Sequence, residues 1–230
     1  MADSGHSTAT LRLTMGALRI AHPITVPDSA VEAAEIVPAL QGLVNAVVDA
    51  AAADMVVSCR KGCGACCRQL VPVSRTEGER LLRIVEALPV ERRGALKARF
   101  AAAEATIEQA GLRDRAGRSD RELSAAYFAL GLPCPFLEDE SCSIHPERPL
   151  VCREYLVTSP AELCAGSAQE GVTPVPVPKV SLAARTLQDD RDDWFPLALL
   201  MAWARRRPRT GKRRKGPQWV QRFLQRLSVK

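Results

Sequence analysis

The run Ser58-Cys59-Arg60-Lys61-Gly62-Cys63-Gly64-Ala65-Cys66-Cys67-Arg68 places four thiols within nine residues, Cys59 to Cys67. Cysteines two or three residues apart can converge on one ion because the backbone between them turns around it, and Gly62 and Gly64 supply the freedom such a turn needs. Zinc and cluster iron both accept this spacing. Free cysteine is a common small core residue, but Arg60, Lys61 and Arg68 are not core neighbours, so the run reads as a chelating loop. The adjacent Cys66 and Cys67 side chains diverge, which suits two metals or a cluster better than a single ion. The rest of the fold is then expected to be whatever holds this loop in place.

The other thiols form a second group: Cys134-Pro-Phe-Leu137, Cys142-Ser-Ile-His145, Arg148-Pro-Leu-Val-Cys152-Arg153, and finally Cys164. Proline-rich loops fix thiols with little entropy left to lose, which favours chelation by a preorganised site. For Cys164, standing apart, core packing and ligation are both open. Arg148 and Arg153 flank the group and are candidates to donate hydrogen bonds to metal-bound thiolates, or to pair with Glu147 and Glu154. His145 reads as a loop residue bonded to backbone, with an added nitrogen ligand as the alternative. Tyr155 reads as packing beside the site.

The motifs CRKGCGACC at 59–67, CPFL at 134–137, CSIHPERPLVCR at 142–153 and Cys164 within AELCAG resemble the cysteine-cluster proteins of the YkgJ family. The resemblance covers all eight cysteines and implies chelation of zinc or iron, with no reaction assigned. Many members carry an aromatic residue after the Cys-x-Ile, where this chain has His145. By count, eight thiolates make two closed zinc sites, or one four-cysteine iron-sulfur cluster with thiols to spare. An iron-sulfur cluster is the preferred cofactor and zinc the alternative.

With 230 residues, 47% of them hydrophobic, the chain can bury a core without disulfide staples. The first thirty residues lack the basic start and unbroken apolar stretch of a signal peptide. Leu43 to Val57 is interrupted by Asn45, Asp49 and Asp54 and is shorter than the ~20 residues that span a bilayer. The expectation is a soluble cytoplasmic protein with no transmembrane segment, whose thiols stay reduced and available to metal.

Of the net charge of +6, the segment Trp194 to Lys230 contributes eleven Lys or Arg and no acid, leaving the body at −5. Eight cations fall in Arg205 to Lys215. Residues 205–230 therefore read as a basic tail that either contacts nucleic acid or another polyanion, or is simply solvated.

Period-two apolar residues (Leu11, Leu13, Met15; Leu18, Ile20, Ile24, Val26) predict a short amino-terminal hairpin. A helix capped by Asp28 or Ser29 follows, with Pro38 as a kink. The capping box Ser74-Arg-Thr-Glu77 opens the next helix, stopped by Pro89. Two further helices are predicted over Glu91 to Gln109 and from Ser119 or Asp120 to Leu130. Thr173 to Lys179 (TPVPVPK) is an extended connector; Asp192 to Ala204 and Gln218 to Val229 read as helices. The fold class is mainly α, a small helical domain around a loop-rich cysteine metal site. Its divisions are an N-terminal extension (1–28), the metal-binding domain (29–172), a connector and helix (173–204) and the tail (205–230).

Three histidines, two of them near the amino terminus, make no credible serine-histidine-acid set, and no phosphate-cradling glycine loop is present. Cys59, Cys63 and Cys66 share the spacing of radical S-adenosylmethionine enzymes, but the sequence lacks the alternating strands and helices of their barrel. The reading is a metalloprotein for electron transfer, metal handling or support of a modification reaction. The alternative is an interaction module with structural zinc whose basic tail binds nucleic acid.

Overall fold

The computed structural model describes residues 5–113, 117–166, 170–189, 192–207 and 211–227. Strands β1 (His6–Met15) and β2 (Leu18–Pro27) form the expected antiparallel hairpin, with Leu13 opposite Ile20 and Gly16 at the turn with φ +62°. β2 buries Ile20, Ile24 and Val26, the period-two face that the sequence marked.

The helix expected from Ser29 begins later. Ala30–Glu32 is a short strand, β3, and a 3-10 turn (Ala33–Ile36) leads into α1 (Val37–Ala52). Pro38 therefore lies in the first turn, where a missing N–H costs nothing, and makes no kink. By length and apolar content Ala33–Ala52 could cross a membrane. In this fold it is a core helix, with Leu40, Leu43, Val44 and Val47 fully buried.

β4 (Pro72–Ser74) leads into α2 (Arg75–Glu86), whose capping box is complete: Ser74 Oγ accepts from the Glu77 amide and the Glu77 carboxylate accepts from the Ser74 amide. α3 (Val90–Gln109) and α4 (Asp120–Ala129) follow as expected, α4 with a second capping box between Ser119 and Glu122. The second cysteine group comes next, with strands β5 (Leu137–Glu138) and β6 (Ser141–Cys142) and helix α5 (Leu150–Arg153).

After α6 (Ser181–Arg185), the helix expected from Asp192 is not formed at its start. Trp194–Pro196 is strand β7, paired with β4 so that Val73 faces Phe195, and a 3-10 turn precedes α7 (Leu200–Arg206). Pro196 cannot donate within a helix, and both neighbouring aromatics find buried sites from an extended backbone. β8 (Arg213–Lys215) pairs with β3, and α8 (Gly216–Leu227) closes the chain. Residues 208–210 and 228–230 of the expected tail lie outside the described residues. The rest of that tail is built into the fold, because Trp219 and Phe223 are fully buried in the core.

Three apolar clusters result. One joins β2, α1, α6 and α8 and takes in Leu150, Val175 and Val177, so the TPVPVPK segment is extended but packs its valines inward. The second joins α2, α3, Phe136, Ile144, Phe195 and Leu200. The third lies between α3, α4 and the Trp194–Leu199 region. Cys134 and Cys142 pack on the second cluster, while Val57 and Leu156 pack on the first, so the cysteine loops occupy the seam between them.

Candidate metal centre

The first loop is tied down at both ends. The Ser58 amide donates to Val157 O (2.9 Å) and Ser58 Oγ to Thr158 O (3.1 Å), while Arg60 pairs with Glu162 at 3.6 Å. Gly62 turns the chain at φ +83°, a conformation that side chains resist. The 3-10 turn Ala65–Arg68 then presents Cys66 and Cys67, with the Cys67 amide bonded to Gly64 O (3.0 Å) and the Gln69 amide to Cys66 O (3.1 Å).

The second group docks onto this turn. The Cys134 amide donates to Cys67 O at 2.7 Å. The β5–β6 hairpin lies over Gly64 so closely that a methyl group there would come within 2.9 Å of Leu137 Cδ1. Asp139 and Glu140 form its tip at φ +47° and +54°, left-handed backbone that glycine or asparagine usually takes. Arg68 grips this tip with a two-pronged ion pair to Glu140 (2.6 and 3.0 Å) and holds Gly64 O at 3.0 Å. Nothing in the sequence marked Arg68 and Glu140 as partners.

All eight cysteines are free thiols gathered on this seam. Backbone N–H groups are aimed at sulfur: Val157 at Cys59, Phe136 at Cys134 and Ile144 at Cys142. Burial, opposed by the Phe136 amide, pushes the Cys134 thiol up to about 12. Burial first, then the charges of Cys134, Cys66 and Cys142, raises the Cys152 thiol well above its ordinary value. A hydrogen bond with Cys67, then burial, raises Cys66. Burial first, then neighbouring thiolates, raises Cys59 and Cys164. Without a cation these five thiols hold their protons, because burial and neighbouring anions both penalise the thiolate.

Arg148 reaches into this crowd. Its positive charge favours the thiolate forms of Cys59, Cys66 and Cys142, though burial outweighs it at Cys59 and Cys142, and the Cys67 hydrogen bond with burial does so at Cys66. Its Nε is buried with no hydrogen-bond partner, and its Nη1 meets Nε2 of His145. Burial first, then Arg148 and Arg153, lowers the His145 pKa, so the ring is a neutral acceptor that steadies Arg148. Arg153 is almost fully buried and its donors are spent on structure: Arg148 O (3.0 Å), Asn45 Oδ1 (3.0 Å) and Pro146 O. Gln41 Nε2 also donates to Arg148 O (3.2 Å), so the loop bearing Arg148 is held from two sides. The Tyr155 hydroxyl lies beside Gln69 and Cys164 without a hydrogen bond of normal geometry, and Gln69 Nε2 is likewise buried and unpaired.

Beneath the centre, Glu77 accepts from the Leu150 amide at 2.8 Å and so caps α5, which carries Cys152. Sequence reading saw Glu77 only as a capping-box residue; its reach to Leu150 comes from tertiary packing.

Among the described residues, no three His, Cys, Asp or Glu side chains converge closely enough to hold an ion as they stand. The donor set nonetheless fits a thiophilic metal or cluster in its chemistry: clustered sulfur, N–H groups aimed at it, a guanidinium whose buried Nε–H is unspent, and apolar walls. Closing around a cation requires the thiols to lose their protons and turn inward.

A family model described as "CxxCxxCC: Putative zinc- or iron-chelating domain" matches residues 58–172. That span takes in every cysteine and both flanking arginines of the second group. No curated protein and no solved structure matches the chain.

Proposed function

The chain belongs to the CxxCxxCC family of zinc- or iron-chelating domains, and from that premise we propose that its cysteines hold an iron-sulfur centre serving electron transfer or metal handling in the cytoplasm. The observation that carries this reading is the meeting of thiols from separate chain segments on one seam, with peptide N–H groups aimed at Cys59, Cys134 and Cys142. Such N–H groups stabilise metal-bound sulfur and would be wasted on core cysteine. The buried unpaired donors on Arg148 and Gln69 support a sulfur-rich cluster, whose anionic sulfurs would accept from them. When bound, the cluster supplies one-electron redox chemistry. Arg148 offsets its negative charge, and Cys134, Cys142 and Cys152 hold it against apolar walls.

The deciding experiment is anaerobic purification followed by metal and acid-labile sulfide analysis and a visible spectrum. Iron with stoichiometric sulfide and a reducible brown chromophore is the expected result. Stoichiometric zinc in a colourless sample overturns the cluster, and absence of any metal overturns chelation altogether.

The polyanion-binding alternative has less support. Arg205 is paired with Glu104, Lys212 with Asp189, Arg213 donates to Ala30 O, and Arg214 lies over the Trp219 ring. Trp219 and Phe223 are buried and have no face to offer a base.

A further inference from the structure

The two outer edges of the amino-terminal hairpin differ in sequence. Gly16, at φ +62°, opens a two-residue turn, so Met15 and Leu18 share the first hydrogen bonds of the ladder. Alternation then turns the amides and carbonyls of Leu13, Leu11 and Ala9 toward β2, and those of Thr14, Arg12, Thr10 and Thr8 away from it. On β2 the outward positions include Pro23, opposite Thr10, and Pro27, opposite His6, so that edge lacks two of its donors. β1 holds no proline, and among the described residues its only strand partner is β2. No other backbone group among them bonds to Thr8, Thr10, Arg12 or Thr14. Prolines block an edge against pairing, whereas a straight ten-residue strand without them is a template for another strand.

The apolar face of β1 is also incompletely covered. Leu11, Leu13 and Met15 pack on the first core cluster but stay half-buried, whereas Ile20 and Ile24 beside them on β2 are buried. Ala9 points to the same side as Leu11 and stands opposite buried Ile24, yet it is exposed. The hairpin therefore overhangs its core along β1, and a strand added there would cover the overhang. The side chains of β1 suit a copy of the same strand. Antiparallel pairing centred on Leu11 sets Leu11 against Leu11 of the second copy and Ala9 against Leu13, on the apolar face. On the solvent face it sets Thr10 against Arg12 and Thr8 against Thr14. Arg12 is the strand's only Lys, Arg, Asp or Glu, and this register keeps the two copies of it apart. Centring on Arg12 would oppose the two cations, and centring on Thr10 would face Leu13 with Ser7.

We propose that β1 pairs antiparallel with β1 of a second copy of this chain, joining the two hairpins into one four-stranded sheet with its two-fold axis at Leu11. Thr8, Thr10, Arg12 and Thr14 each face a residue of the other copy and exchange both main-chain bonds with it, about eight bonds in all. The contact uses the same surface on both subunits, so it closes as a dimer and leaves no exposed β1 edge for further growth. An extended segment of another protein could take the same backbone bonds, but the match of Leu11 with itself and of Ala9 with Leu13 favours the second copy. No thiol takes part, so the dimer stands or falls independently of the chelation reading.

The test is sedimentation of the full chain, with reductant present, across a wide range of concentrations, and a reversible dimer is expected. Thr10→Lys sets a cation opposite Arg12 of the second copy and is expected to weaken the dimer about threefold or more, while Thr10→Glu strengthens it by a similar factor. Thr10→Pro removes one outward amide from each strand, as Pro23 does on β2, and is expected to weaken the dimer about tenfold or more. Thr25→Lys, which adds the same charge on β2, leaves the dimer unchanged. A monomer at every concentration overturns the proposal, including the case in which another protein takes this edge. A dimer that the Thr10 variants do not move also overturns it, because such a dimer lies on another face or is bridged by metal. Thr10 is exposed and on the solvent face, so its Lys and Glu variants keep the fold, and their opposite effects carry the answer.

Discussion

The charge of Arg148 reaches thiols of both sequence groups, Cys59 and Cys66 in the first and Cys142 in the second. Its unpaired Nε makes the side chain costly to bury unless sulfur anions accept from it. Arg148→Ala is therefore expected to weaken metal binding about 10- to 100-fold with little change in the stability of the metal-free chain. Competition against a chromophoric chelator reads the first effect and chemical denaturation the second; an unchanged affinity would remove Arg148 from the centre. Glu154 belongs to the same scale. Burial, opposed by two hydrogen bonds from Ser181, raises its carboxyl from 4.5 to about 6. A raised carboxyl keeps its proton more readily in the folded chain, so its contribution is present below pH 4.5 and is lost as pH rises through about 6. The loss is on the order of 2 kcal/mol. Glu154→Gln should flatten the stability of the metal-free protein across that window, as measured by denaturation at several pH values. A slope as steep as in the unmodified chain would show that another group titrates there.

Among elements, the β5–β6 hairpin decides whether the two thiol groups meet. Its tip is clamped by Arg68 and its strand lies against Gly64, with no room for a side chain between them. Gly64→Ala is expected to lift the hairpin and cost at least tenfold in metal affinity, whereas the same change at Gly94, which meets open space in α3, should leave affinity intact. Equal affinity in both variants would mean that the hairpin does not position Cys142. Legibility in the sequence divides here between local and distant causes. Ser74–Glu77 and Ser119–Glu122 were readable as helix starts because each capping box is complete within four residues. Trp194–Pro196 was not readable as a strand, since its partner Pro72–Ser74 lies far away in the chain. The Asp139–Glu140 turn was not readable either, since Asp139 suits left-handed backbone but Glu140 stands where glycine ordinarily completes such a turn.

For the whole molecule, metal binding and folding are coupled through protons. The raised thiols must deprotonate to bind, so affinity should climb as pH rises from 6 to 8, with protons released on binding. A pH-independent affinity, read by calorimetry in buffers of different ionisation heat, would argue against thiolate ligation. The carboxyl-terminal segment also acts at this scale. Trp219 donates its indole N–H to Val31 O at 2.9 Å and is fully buried, and Phe223 lies in the same cluster. Trp219→Ala is expected to cost about 3 to 5 kcal/mol. Removing residues 205–230 should then unfold the first core cluster and not merely detach a basic appendage. Retention of the native melting temperature after that deletion would contradict the packing.

What the sequence by itself determined is the chemistry: eight thiols in one window, the helices between the two groups, and the family that the spacing identifies. Those features are local, fixed by spacing and by caps a few residues long. Tertiary structure alone decided which chain segments meet at the thiols, that Arg148 faces sulfur while Arg153 is spent on backbone carbonyls and Asn45, and that the apparent basic tail sends Trp219, Val220 and Phe223 into the core. Each of these depends on contacts between distant segments, which residue spacing does not encode; burial and hydrogen bonding across the fold do.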